Sequence, residues 1–237
     1  LLLREGLETF PSATNFTFVS GECVPLASPE AFYNNISGGS AMPYEMIPWK
    51  EFITSKHERP KDYAWYGHTW FSLNREHANI AVNAPTDYYR MKARPLPQMT
   101  HSLEPDEFGV HTHLLSEYEE QVKELLEQKK RNQKTRRSRL IYKRNPRGRK
   151  LYPPTFYNAL ERITGIQNVQ ITDFVQRVDN RGKPTQHPIK YDSINDELAN
   201  IFKTSKKNGY LLFRKIKVEP NFTKQLVTLL VNIWEEI

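Results

Sequence analysis

Over the last third of the chain, apolar residues recur with the periods of regular structure. After Pro154, the residues Phe156, Leu160 and Ile163 return every three or four positions, the spacing of a helix with one inward face. Gly165 supplies the expected stop, as Pro154 supplies the start. Val169 and Ile171 open a stretch of strand character that extends to Val178, and Asp179-Asn180-Arg181-Gly182 reads as a turn. Ile194, Leu198, Ile201 and Phe202 form a second helical stripe, introduced by Ser193 with Asp196 and Glu197 and closed by Asn208-Gly209. From Tyr210 to Val218, Leu212, Arg214, Ile216 and Val218 alternate with Leu211, Phe213, Lys215 and Lys217, which is the period of a strand. Pro220 opens a last helix with Phe222, Leu226, Leu229, Leu230, Ile233 and Trp234 on one side. This mixture over residues 153–237 predicts a small α+β domain, and its length suffices for a modest core.

The pattern changes upstream. Residues 112–139 read as one helix, with Tyr118, Val122, Leu125 and Leu126 on one face. Ser116 and Glu119 have the spacing of a capping box, and Thr112 offers a start one turn earlier. Glu117, Glu119, Glu120 and Glu124 fill the N-terminal half and Lys or Arg the C-terminal half, the order that complements the macrodipole. The apolar stripe fades after Leu126, so the basic half is expected to project from the protein. Asn145-Pro146-Arg147-Gly148 ends any helix, and residues 140–152 are expected to form an extended basic loop.

Of residues 1–110, the first hundred hold nine of the sixteen prolines, which argues against long helices. The same stretch is rich in aromatics, among them Trp49, Trp65, Tyr66, Trp70, Phe71, Tyr88 and Tyr89, unlike a disordered tail. It is expected to be an extended arm packed against the C-terminal domain or a neighbouring protein, with short helical turns at Pro29–Tyr33 and Pro48–Ser55. The expected organisation is therefore an arm over 1–110, a helix running into a basic segment over 111–152, and an α+β domain over 153–237.

Charge sharpens this division. The 237 residues carry a net charge of +7, yet twelve basic residues lie within 22 positions: Lys129, Lys130, Arg131, Lys134, Arg136, Arg137, Arg139, Lys143, Arg144, Arg147, Arg149 and Lys150. That stretch contains no Asp or Glu, and the other 215 residues have a net charge of −5. Such density points to a polyanion. Each cation placed on a phosphate releases a counterion, and the seven arginines add planar forks that grip phosphate and stack on bases. Tyr142 and Tyr152 are interleaved, and either could stack on an unpaired base, with ordinary packing the expected role. No zinc-finger, RNP or leucine-zipper pattern accompanies the segment, so the expectation is sequence-tolerant RNA binding by a chain that follows shape.

Other chemistry is weakly signalled. His111 and His113 form an H-x-H pair able to ligate one metal from a strand, with His101, Asp106 and Glu107 upstream. His57, His68 and His77, among Asp62, Glu76 and Asp87, would form an acid–base group if this region folded back on itself. Tyr66-Gly67-His68-Thr69-Trp70 is the most unusual local string. For all of these, ordinary packing or exposure is the expected role. Neither a nucleophile elbow nor a phosphate loop is present, and no cofactor is implied. Cys23 is the only cysteine, which excludes an internal disulfide framework. No run of apolar residues is long enough for a membrane span.

An arm rich in proline and aromatics, a helix entering KKRNQKTRRSRLIYKRNPRGRK, and a small α+β domain together resemble the lineage-specific proteins of mitochondrial ribosomes. The resemblance implies a non-enzymatic structural role in the mitochondrial matrix. Residues 129–150 would enter rRNA, and the arm and C-terminal domain would contact neighbouring proteins. Two alternatives stand beside it: a metal-dependent enzyme acting on nucleic acid, and a structural subunit of another organellar complex whose basic segment faces anionic lipid.

Overall fold

The computed structural model describes residues 2–48, 52–54, 63–84, 93–95, 105–135, 154–178, 184–217 and 220–235. In chain order its elements begin with α1 (Leu2–Thr9), β1 (Asn15–Thr17), β2 (Cys23–Pro25), α2 (Pro29–Ile36), β3 (Ser40–Ala41), β4 (Glu45–Pro48), β5 (Phe52–Thr54), β6 (Tyr63–Tyr66) and β7 (Ser72–Asn74). There follow α3 (Arg75–Val82), β8 (Ala93–Pro95), α4 (Pro105–Ser116), α5 (Glu119–Thr135) and α6 (Pro154–Thr164). The chain closes with β9 (Ile166–Gln167), β10 (Thr172–Asp173), β11 (Gln176–Val178), β12 (Pro184–Pro188), α7 (Asp196–Lys207), β13 (Leu212–Arg214) and α8 (Pro220–Glu235). The class is α+β, with short strands in small mixed sheets.

These elements sort into two units by contact rather than by chain order. Unit 1 comprises Leu1–Phe16, Gly39–Thr69 and Leu73–Val169; unit 2 comprises Thr17–Gly38, Trp70–Ser72 and Gln170–Ile237. The division cuts across the expected boundaries at 110 and 152. The stretch read as an arm supplies both units, and α6 belongs to unit 1 rather than to the C-terminal unit.

In unit 1, the sheet order is β1-β7-β3-β9, and β3 runs parallel to β9 with Ser40 opposite Ile166. β4 pairs antiparallel with β6, setting Met46 opposite Trp65. Helix α4 packs on β6, and α3 packs on α1 and α4. Met42, Trp65, Leu73, Leu114, Leu115 and Leu160 are buried here. Asn74 caps α3 by accepting the His77 backbone N–H at 2.8 Å. The turn expected over Pro48–Ser55 is instead strand β5 at Phe52–Thr54, paired antiparallel with Ala93–Pro95. β-branched Ile53 and Thr54 suit a strand, and the partner that decides the matter lies far along the chain.

The single helix expected from residue 112 is two helices. α4 starts upstream at Pro105, and Glu117-Tyr118 form a turn before α5. Leu114 and Leu115 are fully buried, so burial extends the helix upstream of the visible stripe. Thr112 lies inside α4, where its hydroxyl meets the Trp65 backbone N–H at 2.9 Å and carbonyl at 3.2 Å. Ser116 lies in the last turn of α4, and its hydroxyl donates back to the Thr112 carbonyl. Residues 136–139 and the expected loop at 140–152 lie outside the described residues. Helix α6 matches expectation at both ends, with Gly165 at φ +68°, but its buried line is Phe156, Leu160 and Thr164. Ile163, expected inward, is 39% exposed because the i, i+4, i+8 line faces the core.

In unit 2, the sheet order is β10-β13-β2. β13 lies parallel to β10 and antiparallel to β2, with Phe213 opposite Val24. Around it gather Leu198 and Phe202 of α7 and Phe222, Leu226, Leu230 and Ile233 of α8. Helix α2 begins at Pro29 as expected and continues to Ile36; the Ser28 hydroxyl accepts the Ala31 N–H at 3.2 Å. Helix α7 starts under an Asn195 cap and ends before Gly209, whose φ is +86°. The strand expected from Val169 is interrupted, and Val169 is 43% exposed. The turn expected at residues 179–182 lies outside the described residues, between paired strands β11 and β12. Arg214 does not point to solvent: its guanidinium lies 3.4 Å from the Trp70 ring centroid and 5.0 Å from that of Phe174.

Among the described residues, Gly67 is a tightly enclosed glycine. A Cβ there would stand 1.8 Å from the Pro43 carbonyl oxygen and 2.5 Å from Nε2 of His111. Backbone must move to admit it. Gly67→Ala is expected to cost roughly 3 kcal/mol or more. Gly38→Ala, with nothing within 4 Å of the new methyl, should be nearly neutral. Urea midpoints of the two variants, which should differ widely, check this.

Candidate functional site

The site predicted from charge begins on α5. That helix is attached to unit 1 by its first turns: Val122 is fully buried and donates its backbone N–H to the Tyr118 carbonyl at 3.0 Å. Leu125 and Leu126 are half-buried, and Glu127 and Gln128 are exposed. Lys123 bridges Glu119 at 3.2 Å and Glu120 at 2.9 Å, so the acidic half is partly compensated locally. The backbone continues as helix through Lys129, Lys130, Arg131 and Lys134, where cations complement the helix dipole. Arg136, Arg137, Arg139, Tyr142, Lys143, Arg144, Arg147, Arg149 and Lys150 lie outside the described residues, as does Tyr152. Description resumes at Pro154, the first residue of α6. Helices α5 and α6 belong to one unit and pack on each other. The described helices on either side of the basic segment therefore belong to the same body.

The histidines read from sequence part company in the structure. His77 is 2% exposed and sits at the centre of a polar chain. Its Nδ1 lies 2.7 Å from the Ser40 hydroxyl, and its Nε2 lies 3.0 Å from the Tyr118 hydroxyl. The Asn74 backbone N–H donates to the same Ser40 oxygen at 2.9 Å. A neutral imidazole carrying its proton on Nε2 fits this set: Ser40 donates to Nδ1, and Nε2–H donates to Tyr118. Burial lowers the His77 pKa, against the charge of Glu76 and a hydrogen bond to the Thr164 backbone. Burial likewise raises that of Tyr118, aided by Glu76 and Glu117.

His111 is fully buried against Gly67, and burial with the neighbouring His68 pushes its pKa down to about 3. His113 places Nε2 3.1 Å from the Ile80 carbonyl. The H-x-H pair was expected on a strand, where both rings share a face. Both residues are on α4 instead, and two positions apart on a helix point to different sides. Among the described residues, no group of three His, Cys, Asp or Glu is placed to hold a metal. His57, Asp62, Asp87 and His101 lie outside the described residues, as do the Asp106 and Glu107 side chains. Cys23 is half-buried, its sulfur 3.3 Å from the Ser20 hydroxyl.

Ser40 and Tyr118 were not legible as polar partners. Tyr118 reads as part of an apolar stripe, and Ser40 as one small residue after two glycines. The only local signal is Asn74 three residues before His77, the spacing of a helix cap. No protein-family model matches the chain, and no curated protein matches it.

The buried imidazoles of His77 and His111 set a pH dependence. Each has a folded-state pKa below the unfolded value of about 6.5, so the unfolded chain binds more protons as the pH falls. Their contribution to stability is complete above that value and is lost below it. Each histidine still neutral in the fold should cost roughly 1.4 kcal/mol per pH unit. Urea unfolding between about pH 7 and pH 5 should show this decline, and a flat profile would contradict it.

Proposed function

We propose that this protein is a non-enzymatic structural component of a ribonucleoprotein, foremost a mitochondrial ribosomal subunit in the matrix, and that Lys129 to Lys150 bind rRNA phosphates. The observation that carries the reading is twelve Lys or Arg in 22 residues without one carboxylate, in a chain otherwise net acidic. Coulomb repulsion within such a segment is relieved by a polyanion along its length. Its attachment between α5 and α6 supports the same reading. A chain held at both ends loses less freedom on binding than a free tail. Tyr142 adds a face on which an unpaired base can stack. The remaining surfaces of the two units would meet neighbouring proteins.

No helix among the described residues is long and apolar enough to cross a membrane. Anionic lipid heads nevertheless offer the same phosphate chemistry, so the test must separate the two polyanions. RNA binding across a salt series should fall on the order of a thousandfold from about 50 to 200 mM salt if six or more phosphates are engaged. A variant with residues 129–150 neutralised should lose most of that slope. Anionic vesicles should compete poorly. Binding unchanged by neutralisation, or preference for vesicles over RNA, would defeat the proposal.

A further inference from the structure

The turn between α4 and α5 consists of Glu117 and Tyr118 alone. Together with buried Val122 and the packing of α5 on α6, whatever fixes these two residues sets the course of α5 within unit 1, and with it the backbone at Lys129, Lys130, Arg131 and Lys134. Glu117 is exposed. Tyr118 turns its hydroxyl inward to Nε2 of His77 at 3.0 Å, and its ring meets the imidazole edge-on with centroids 6.3 Å apart. The imidazole is held from behind by Ser40, which is 0% exposed and takes the Asn74 N–H at the head of α3. Ser40 itself lies on β3, a strand of the unit 1 sheet. The turn is thus tied by a continuous hydrogen-bonded chain to both the sheet and α3.

We propose that Tyr118 is a positioning residue: through His77 and Ser40 it locks the α4–α5 turn and so sets the angle at which the basic helix is presented. Its consequence for RNA rests on the function proposed above. The lock itself does not.

The chemistry makes the lock sensitive to the state of one ring. With its proton on Nε2, neutral His77 accepts at Nδ1 and donates at Nε2. Once protonated it donates at both, and the Ser40 oxygen would then face two donors while its own proton seeks an acceptor in a buried site. The groups facing the ring are Ser40 from β3, Tyr118 from the turn, the Thr164 backbone from α6 and the Glu76 charge from its own helix. Only Glu76 among these is charged, and it is exposed.

Spin labels at Asn79 on α3 and Gln128 on α5, both exposed, report the angle in a Cys23→Ser background. The parent should give one narrow distance distribution. Tyr118→Phe keeps the ring and removes the hydroxyl, and should broaden it. Gln121→Ala, exposed on the first turn of α5, should leave it narrow. The parent should also broaden as the pH falls through imidazole protonation, whereas Tyr118→Phe should not respond further. Coincident distributions for the parent and Tyr118→Phe, equal broadening by Gln121→Ala, or a parent distribution independent of pH until unfolding would each overturn the lock. With RNA, Tyr118→Phe should bind about fivefold more weakly at an unchanged salt slope, because the same phosphates are met from a less ordered helix. If the parent binds no RNA, the functional proposal fails while the distance measurement still decides the lock.

Discussion

Both units depend on strands brought together from distant parts of the chain. Ser40-Ala41 lies beside Ile166-Gln167, and Cys23–Pro25 lies beside Leu212–Arg214. Neither pairing has a local turn to enforce it. Loop closure over such separations is costly, and it is repaid by burial: Ile166 and Phe213 are fully buried beside the strands they extend. The first half of the chain is thereby built into both units. Trp65, Phe71 and Leu73, from the proline-rich stretch, are among its most buried side chains.

This arrangement also decides where the charge is carried. The pairing of β3 with β9 leaves the basic segment between two strands of one sheet, flanked by α5 and α6 of the same unit. Twelve cations without counter-charges are far too expensive to bury. Within the same unit, Ser40, His77 and Tyr118 form an uncharged hydrogen-bonded chain.

What the sequence reveals follows from where the deciding interaction lies. Helices α6, α7 and α8 are legible because Pro154, Gly165, Asn208-Gly209 and Pro220 act within a turn of the ends they define. The α+β class follows from the same local signals. The α4–α5 break is not legible, since Tyr118 has the spacing of a core residue and its partner His77 is 41 positions away. Strand β5 is missed for the same reason: its pairing with Ala93–Pro95 has no local mark. Arg214 alternates in the sequence with apolar Leu212 and Ile216, and nothing local marks Trp70 and Phe174 as the rings that take its guanidinium. The basic segment is the reverse case. Its charge is plain in the sequence, and most of its residues lie outside those described.

The central claim is that residues 129–150 lie on RNA inside a larger particle. Ultraviolet crosslinking in the organism's own cells, followed by mapping of the modified peptides, tests it most directly. The account predicts crosslinked nucleotides concentrated between Lys129 and Tyr152, carried by ribosomal RNA in a fraction that sediments with organellar ribosomal subunits. A chain that sediments apart from any RNA, or crosslinks confined to other segments, would contradict it.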